Sequence, residues 1–432
     1  MLCLLARTRA LVVPTVVISF LLAVAVAQEI ELPRPPQTGT DQFGRSSDID
    51  GTRAIVGAPA YRSGGFATAG AAFVYRNDPG GWIQEAALSA FGSYLDAGDN
   101  FGLGVAISGT KVVVGAYSDE HNGSLSSGSA YVFSLNPGTG AWDPVRLVAD
   151  DYQANSNYGY AVDISGDDII VGAYNHDVGS PLVSNVGTAW IYHFDGTNWV
   201  QQGKLLPPVG DRVASQRFGY SVAIDGDMAL VGAAGPNGSI GKAYSFRRTG
   251  GVWEEPVELP RSVSPVNSGY GQAVALDLPS AVVGANAHSS PPSGQGAAFF
   301  YQYDGSNWTQ TGLVQAPNLE ALSYFGFSTA IHGDWALIGG RADSLPGFTS
   351  AGSVSLYHWI GAAWTYDRTL TATTRTASAN FGGSVGYDGT NAVIGAYGRD
   401  SWRGAASIFQ NIGDPPADVS IVKTLTTAGP FL

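Results

Sequence analysis

Few side chains in this sequence stand in patterns that do covalent chemistry. The six histidines, His121, His176, His193, His288, His332 and His358, form no His-Glu-x-x-His helix, and no Gly-x-Ser-x-Gly elbow or Cys/His metal set is present. Zinc hydrolysis and serine or thiol acyl transfer therefore lack their usual sequence signatures. His121, His176 and His288 fall in loops of related position, where a shared metal or acid–base role competes with simple solvation. What stands out instead is recognition chemistry. Tyrosines lie beside carboxylates and arginines at Tyr61, Tyr117-Ser-Asp119, Tyr174-Asn-His176-Asp177, Arg341-Ala-Asp343 and Tyr397-Gly-Arg399-Asp400. Such mixtures suit polar polymers, glycans or extended peptide. The candidate ligand-binding residues are Tyr61, Tyr117, Asp119, Tyr174, Asp177, Asp343, Tyr397 and Asp400. Loop residues of this kind also serve solubility alone. No catalytic residue and no metal ligand is assigned.

The elements that position these loops repeat. Seven aromatic-glycine pairs, Phe43-Gly44, Phe101-Gly102, Tyr158-Gly159, Phe218-Gly219, Tyr270-Gly271, Phe325-Gly326 and Phe381-Gly382, recur every 52 to 60 residues. Each is followed by a Val/Ile-rich run ending in Gly-Ala (Gly339-Gly340 in the sixth copy) and then by a Gly-small-aromatic strand. A β repeat of this period predicts an all-β, seven-bladed propeller. In the fourth copy the spacing predicts strands at 218–224, 228–232, 242–246 and 253–259, with a tight turn at Asp225-Gly226. The second strands, such as Val112-Val113-Val114, are apolar without alternation and so are expected to be buried on both faces. The Gly-Ala pairs remove bulk where neighbouring sheets approach the axis.

Six copies open their fourth strand with tryptophan, at Trp82, Trp142, Trp199, Trp253, Trp308 and Trp364; the seventh has none. These rings either cover blade edges or stack on sugars. The segment Glu29-Ile-Glu-Leu-Pro-Arg34 repeats the fourth-strand text Glu258-Leu-Pro-Arg261, so the N-terminal strand is expected to complete the last blade and hide its open edge. In this arrangement the loops between second and third strands emerge on one face together with the blade-to-blade connections. The short hairpins emerge on the other. The long-loop face is the binding candidate.

The chain ends carry separate expectations. Residues 1–27 read as a secretory signal: Arg7 and Arg9 precede an apolar stretch, and Ala25-Val26-Ala27 ends it. Cleavage would leave the domain 28–413 secreted or at the cell surface, with no membrane span. Cys3 lies within that signal, so the mature chain would have no thiol, a pattern that looks bacterial. From residue 414 a Pro-Pro linker leads to Asp418-Val-Ser-Ile-Val, the start of a truncated Ig-like domain or a tail. The formal charge of −13 with four lysines argues against nucleic acid as a partner.

The pattern seen clearly in Phe218-Gly-Tyr-Ser-Val-Ala with Leu230-Val-Gly-Ala233 resembles the FG-GAP repeat, the unit of integrin alpha-subunit propellers and of many bacterial exported proteins. The resemblance covers 28 to about 413 and implies a seven-bladed propeller working as an extracellular recognition or adhesion module; with the loop chemistry above, the expected partner is an extracellular glycan or protein, and the chain is expected to be a monomer. Integrin members carry calcium in long Asp-rich hairpin loops. Here those connections shrink to turns such as Asp50-Gly51 and Asp388-Gly389, which cannot wrap six to eight oxygens around calcium. No cofactor is therefore expected, although a weak calcium ion in the acidic loops stays open. The alternative function is a carbohydrate-active enzyme, a glycosidase or lyase, since hydrolysis needs only two carboxylates across a cleft.

Overall fold

The second-strand glycines are where the seven sheets meet. A Cβ added to Gly57 would lie 2.0 Å from the carbonyl oxygen of Gly102 in the next sheet, a contact no side chain can occupy. The same contact recurs around the molecule and closes between Gly395 and the carbonyl of Gly44. Seven antiparallel sheets packed in this way form a seven-bladed propeller. The computed structural model describes residues 27–36, 39–235, 240–262, 268–288, 294–317 and 322–412. The expected signal, but for Ala27, and the expected tail lie outside the described residues.

Blade 1 pairs Ser46–Asp50, Arg53–Ala58, Ala71–Asp78 and Gly81–Leu88 in chain order. In blade 7 the strands Phe381–Tyr387, Ala392–Ala396 and Ala406–Gln410 are joined by Gln28–Glu31, which runs antiparallel to the last of them with Glu29 opposite Phe409. Around this strand Leu32 is buried at 1% exposure, and the Ser407 hydroxyl donates to the Glu29 carboxylate at 2.8 Å. The Tyr75 hydroxyl of blade 1 donates to the Pro33 carbonyl at 2.7 Å.

Blade 4 differs from expectation at its rim. The outer strand splits into Val252–Trp253 and Val257–Glu258, because Pro256 in the intervening segment has no N–H to give to the ladder.

Each repeated aromatic is fully or almost fully buried, and each packs on the third strand of its own blade, as Phe43 does on Phe73 at 5.9 Å between centroids. A parallel bridge ties each to a glycine of the preceding blade, from Gly70 and Phe101 around to Phe43 and Gly404. Val112, Val113 and Val114 of a second strand are wholly buried. Of the outer tryptophans, Trp82, Trp308 and Trp364 are buried, and Trp364 stacks on Phe300 of the preceding blade at 4.4 Å, while Trp142, Trp199 and Trp253 are half-buried.

Side chains of the innermost strands latch each blade to the next. In blade 1 the Ser46 hydroxyl donates to the Gly102 carbonyl at 2.9 Å, while Asp48 accepts from the Ile107 N–H and Asp50 from the Gly109 N–H. Asp225 and Asp277 repeat the last contact with the N–H groups of Leu278 and Gly333.

Candidate functional site

The residue after each aromatic-glycine pair starts the innermost strand at the long-loop end of the axis. These seven positions, Arg45, Leu103, Tyr160, Tyr220, Gln272, Phe327 and Gly383, surround a cavity of about 230 Å³. Its floor is a waist of Val105, Val162, Val222, Val274 and Val385 with Ser47 and Thr329, shared with a second compartment toward the hairpin end. That second space, about 460 Å³, is lined by Asp48, Asp50, Asp163, Asp225, Asp277 and Asp388. Between the two, the axial channel changes character completely. No carboxylate of the described residues lines the long-loop cavity.

Tyrosine dominates one side of this mouth. Tyr117 and Tyr174, each the first residue after its Gly-Ala pair, pack beside Tyr160 and Tyr220. Ring centroids of Tyr160 lie 5.7 Å from Tyr117, 4.5 Å from Tyr174 and 5.0 Å from Tyr220. The Tyr160 hydroxyl donates to that of Tyr220 at 3.0 Å. Burial, then the neighbouring Tyr220, raises both Tyr160 and Tyr174 above the ordinary tyrosine value. Their phenols are neutral at physiological pH and can donate as well as accept.

Arginine dominates the other side. Arg45 lies over the Tyr397 ring at 5.1 Å and Arg341 donates to the Tyr397 hydroxyl at 2.8 Å. Arg341 also covers Phe327 at 4.2 Å and Tyr324 at 5.0 Å. Cation–π contacts of this kind hold a guanidinium in place without neutralising it. Arg45 forms no ion pair among the described residues.

The sequence-derived candidates divide. Tyr117, Tyr174 and Tyr397 belong to the mouth, Tyr397 almost buried at 5% as the platform beneath the arginines. Asp119 turns inward: at 3% exposure it accepts from the Tyr131 hydroxyl at 2.8 Å and pairs with Arg146 at 3.0 Å. Asp343, 5% exposed, accepts from the Ser353 hydroxyl at 2.6 Å. Both are third residues after the second-strand pair, where a turn (the Asp119 N–H to the Ala116 carbonyl) sends the side chain back onto its own blade. Tyr61 packs edge-on to Phe73 and Asp177 accepts the Asn185 N–H, both half-buried away from the Tyr160 cluster. Asp400 is exposed and pairs with Arg34 at 3.1 Å.

The loop histidines also require correction. His176 is wholly buried against Trp190 and His288 is 7% exposed, so neither is a solvated loop residue. Burial, then nearby Lys204, pushes His176 down to about 4, leaving it neutral. Among the described residues no three His, Cys, Asp or Glu side chains converge as a metal site, and no helix is long and apolar enough to cross a membrane.

Arg45, Tyr160, Tyr220, Gln272 and Phe327 were missed by reading the loops alone. Their signal was present as a column, the position after each aromatic-glycine pair.

Repeat, blade and seam agree on the class, a seven-bladed propeller of aromatic-glycine units. The chain belongs to the FG-GAP repeat family, whose model matches residues 37–75, 82–133, 143–192, 199–246 and 364–409, more than half of the chain. The one stretch between matches 199–246 and 364–409 holds both Gly284 and Gly339, which make the same close contacts, with the carbonyls of Gly326 and Gly382 at 2.1 and 2.2 Å. A solved structure titled "Structure of Dos1 propeller" is 11% identical, with 86% of this chain and 78% of that chain covered and a TM-score of 0.47. No curated protein matches the chain.

Proposed function

We propose that this protein is an exported or cell-surface recognition or adhesion module that acts without catalysis and binds a glycan or protein ligand at the axial mouth of its long-loop face. The observation that carries this reading is the mouth itself: Arg45, Tyr160 and Tyr220 line a cavity of about 230 Å³, Tyr117 and Tyr174 pack against Tyr160, and Tyr397 and Arg341 support Arg45 and Phe327. Rigid aromatics supply contact area at low entropic cost, and arginine supplies directed hydrogen bonds. Two carboxylates of this face, Asp119 and Asp343, fit the same reading, because each is engaged within its own blade.

Full-length protein applied to arrays of surface glycans and extracellular proteins tests the proposal. Binding without turnover, weakened at least tenfold by Tyr117→Ala with Tyr174→Ala, is the expected result. Product release from a polysaccharide panel would instead favour a carbohydrate-active enzyme.

A further inference from the structure

The axial channel is polarised along its length. A chain with a formal charge of −13 would be expected to scatter carboxylates over any cavity it forms, yet among the described residues the long-loop compartment has none while the compartment below the valine waist has six aspartates. The charge that does enter the upper compartment is Arg45. Its guanidinium sits on the Tyr397 ring, and its charge reaches the Tyr160 phenol. No carboxylate of the described residues pairs with it. A guanidinium held in place, partly buried and lacking a counter-ion is a receptor for one, since its planar fork matches a carboxylate.

The rest of the cavity says what carries that carboxylate. Tyr160 and Tyr220 offer half-buried rings and linked hydroxyls, Phe327 offers an apolar wall, and the Gln272 amide makes no side-chain hydrogen bond among the described residues. Flat apolar faces alternating with hydroxyl-matching donors and acceptors suit a pyranose ring, which has apolar C–H faces and a hydroxylated edge. The waist floors this cavity, and the compartment beyond it is lined by six aspartates and by no Lys or Arg among the described residues, which offers an anion no partner there.

Resting on the proposed use of the long-loop face, we infer that the axial mouth binds a carboxylated sugar unit, a uronic acid of an acidic polysaccharide, with Arg45 receiving the carboxylate and Tyr160, Tyr220 and Gln272 the ring and its hydroxyls. Arg45 is then the specificity-determining residue, separating acidic from neutral glycans.

Calorimetric titration of the full-length protein with oligogalacturonate, with its methyl ester and with a polyglutamate of similar charge tests this. The acid form should bind, and the ester and the polyglutamate should each bind at least tenfold more weakly. Arg45→Gln should weaken the acid form roughly ten- to hundredfold, the range of a lost charge-assisted hydrogen bond, and leave the melting temperature unchanged. Arg45→Lys, which keeps the charge without the fork, should retain part of the binding. Equal binding of acid and ester, equal binding of polyglutamate, or an Arg45→Gln variant that folds and binds as wild type would each overturn the inference. If oligogalacturonate does not bind while array ligands still depend on Tyr117 and Tyr174, the inference fails and the use of this face stands; if those ligands are also indifferent to both tyrosines, both fail.

Discussion

The hydroxyl of Tyr160 in blade 3 donates a 3.0 Å hydrogen bond to the hydroxyl of Tyr220 in the neighbouring blade 4, at the mouth of the axial channel. Both are the first residues after their aromatic-glycine pairs, so the pair sets the seam between blades and the residue after it furnishes the surface above. Framework and candidate site are thus built from adjacent residues of the same repeat, and their effects can be separated by substitution.

Gly57→Ala should destabilise the fold by at least about 2 kcal/mol, because the new methyl meets the Gly102 carbonyl oxygen at 2.0 Å and neither backbone can yield without opening the seam. Gly80→Ala, at a turn with nothing within 4 Å, should stay within about 0.5 kcal/mol of wild type. Denaturant midpoints of the two variants check the contrast.

Asp119→Ala should cost about 3 kcal/mol, since it leaves the Arg146 guanidinium and the Tyr131 hydroxyl without their buried partner. Tyr174→Ala should cost far less. A thermal melt in which Asp119→Ala is neutral would show that the carboxylate faces solvent.

Much of this protein was legible in its sequence, because the features that specify the fold are local and repeated. Aromatic-glycine and Gly-Ala pairs at a regular period give the blade count, and the unbroken runs at Val112–Val114 and Ile169–Val171 give the buried second strands. The site was legible only in part. Tyr117 and Tyr174 could be picked from their loops, but distance from the axis is not written in a loop's composition. Asp119 and Asp343 look like surface carboxylates until the turn after the second strand is seen to fold them onto their own blades. Arg45, Tyr160 and Tyr220 looked like strand residues, since their exposure arises only at the axis, where seven inner strands leave a hole. Pro256 interrupted an outer strand that the repeat alone predicts as continuous.

The channel wall predicts a pH dependence. Burial, together with the charge of Asp163, pushes the Asp48 carboxyl up to about 8, and burial pushes Asp163 up to about 7. Both folded-state values lie above the unfolded value near 4. The native state therefore holds protons that the unfolded state has released, and stability falls as pH rises from about 4 to about 8. Asp48→Asn keeps an acceptor for the Ile107 N–H and removes the titration. Its melting temperature should decline less over this range, exceeding wild type at pH 8. Identical profiles for the two proteins would place Asp48 outside the channel wall.

The strand Gln28–Glu31 lies on the outer edge of blade 7, and Leu32 beyond it is almost wholly buried. Leu32→Ala should cost about 2–5 kcal/mol, and removal of residues 28–33 should cost more by exposing the edge of Ala406–Gln410. Hydrogen exchange should then accelerate first at Ile408 and Gln410, which share with Ala406 the side of the strand that faces the removed segment.

The central claim is that the protein binds at the axial mouth of the long-loop face. It is tested most directly by the affinity of the strongest array ligand for two double variants, one at each end of the channel. Tyr117→Ala with Tyr174→Ala should weaken binding at least tenfold, while His332→Ala with Asp388→Ala at the hairpin end should leave it unchanged. Loss of binding in the hairpin-end variant, with the tyrosine variant folded and binding as wild type, would contradict the account.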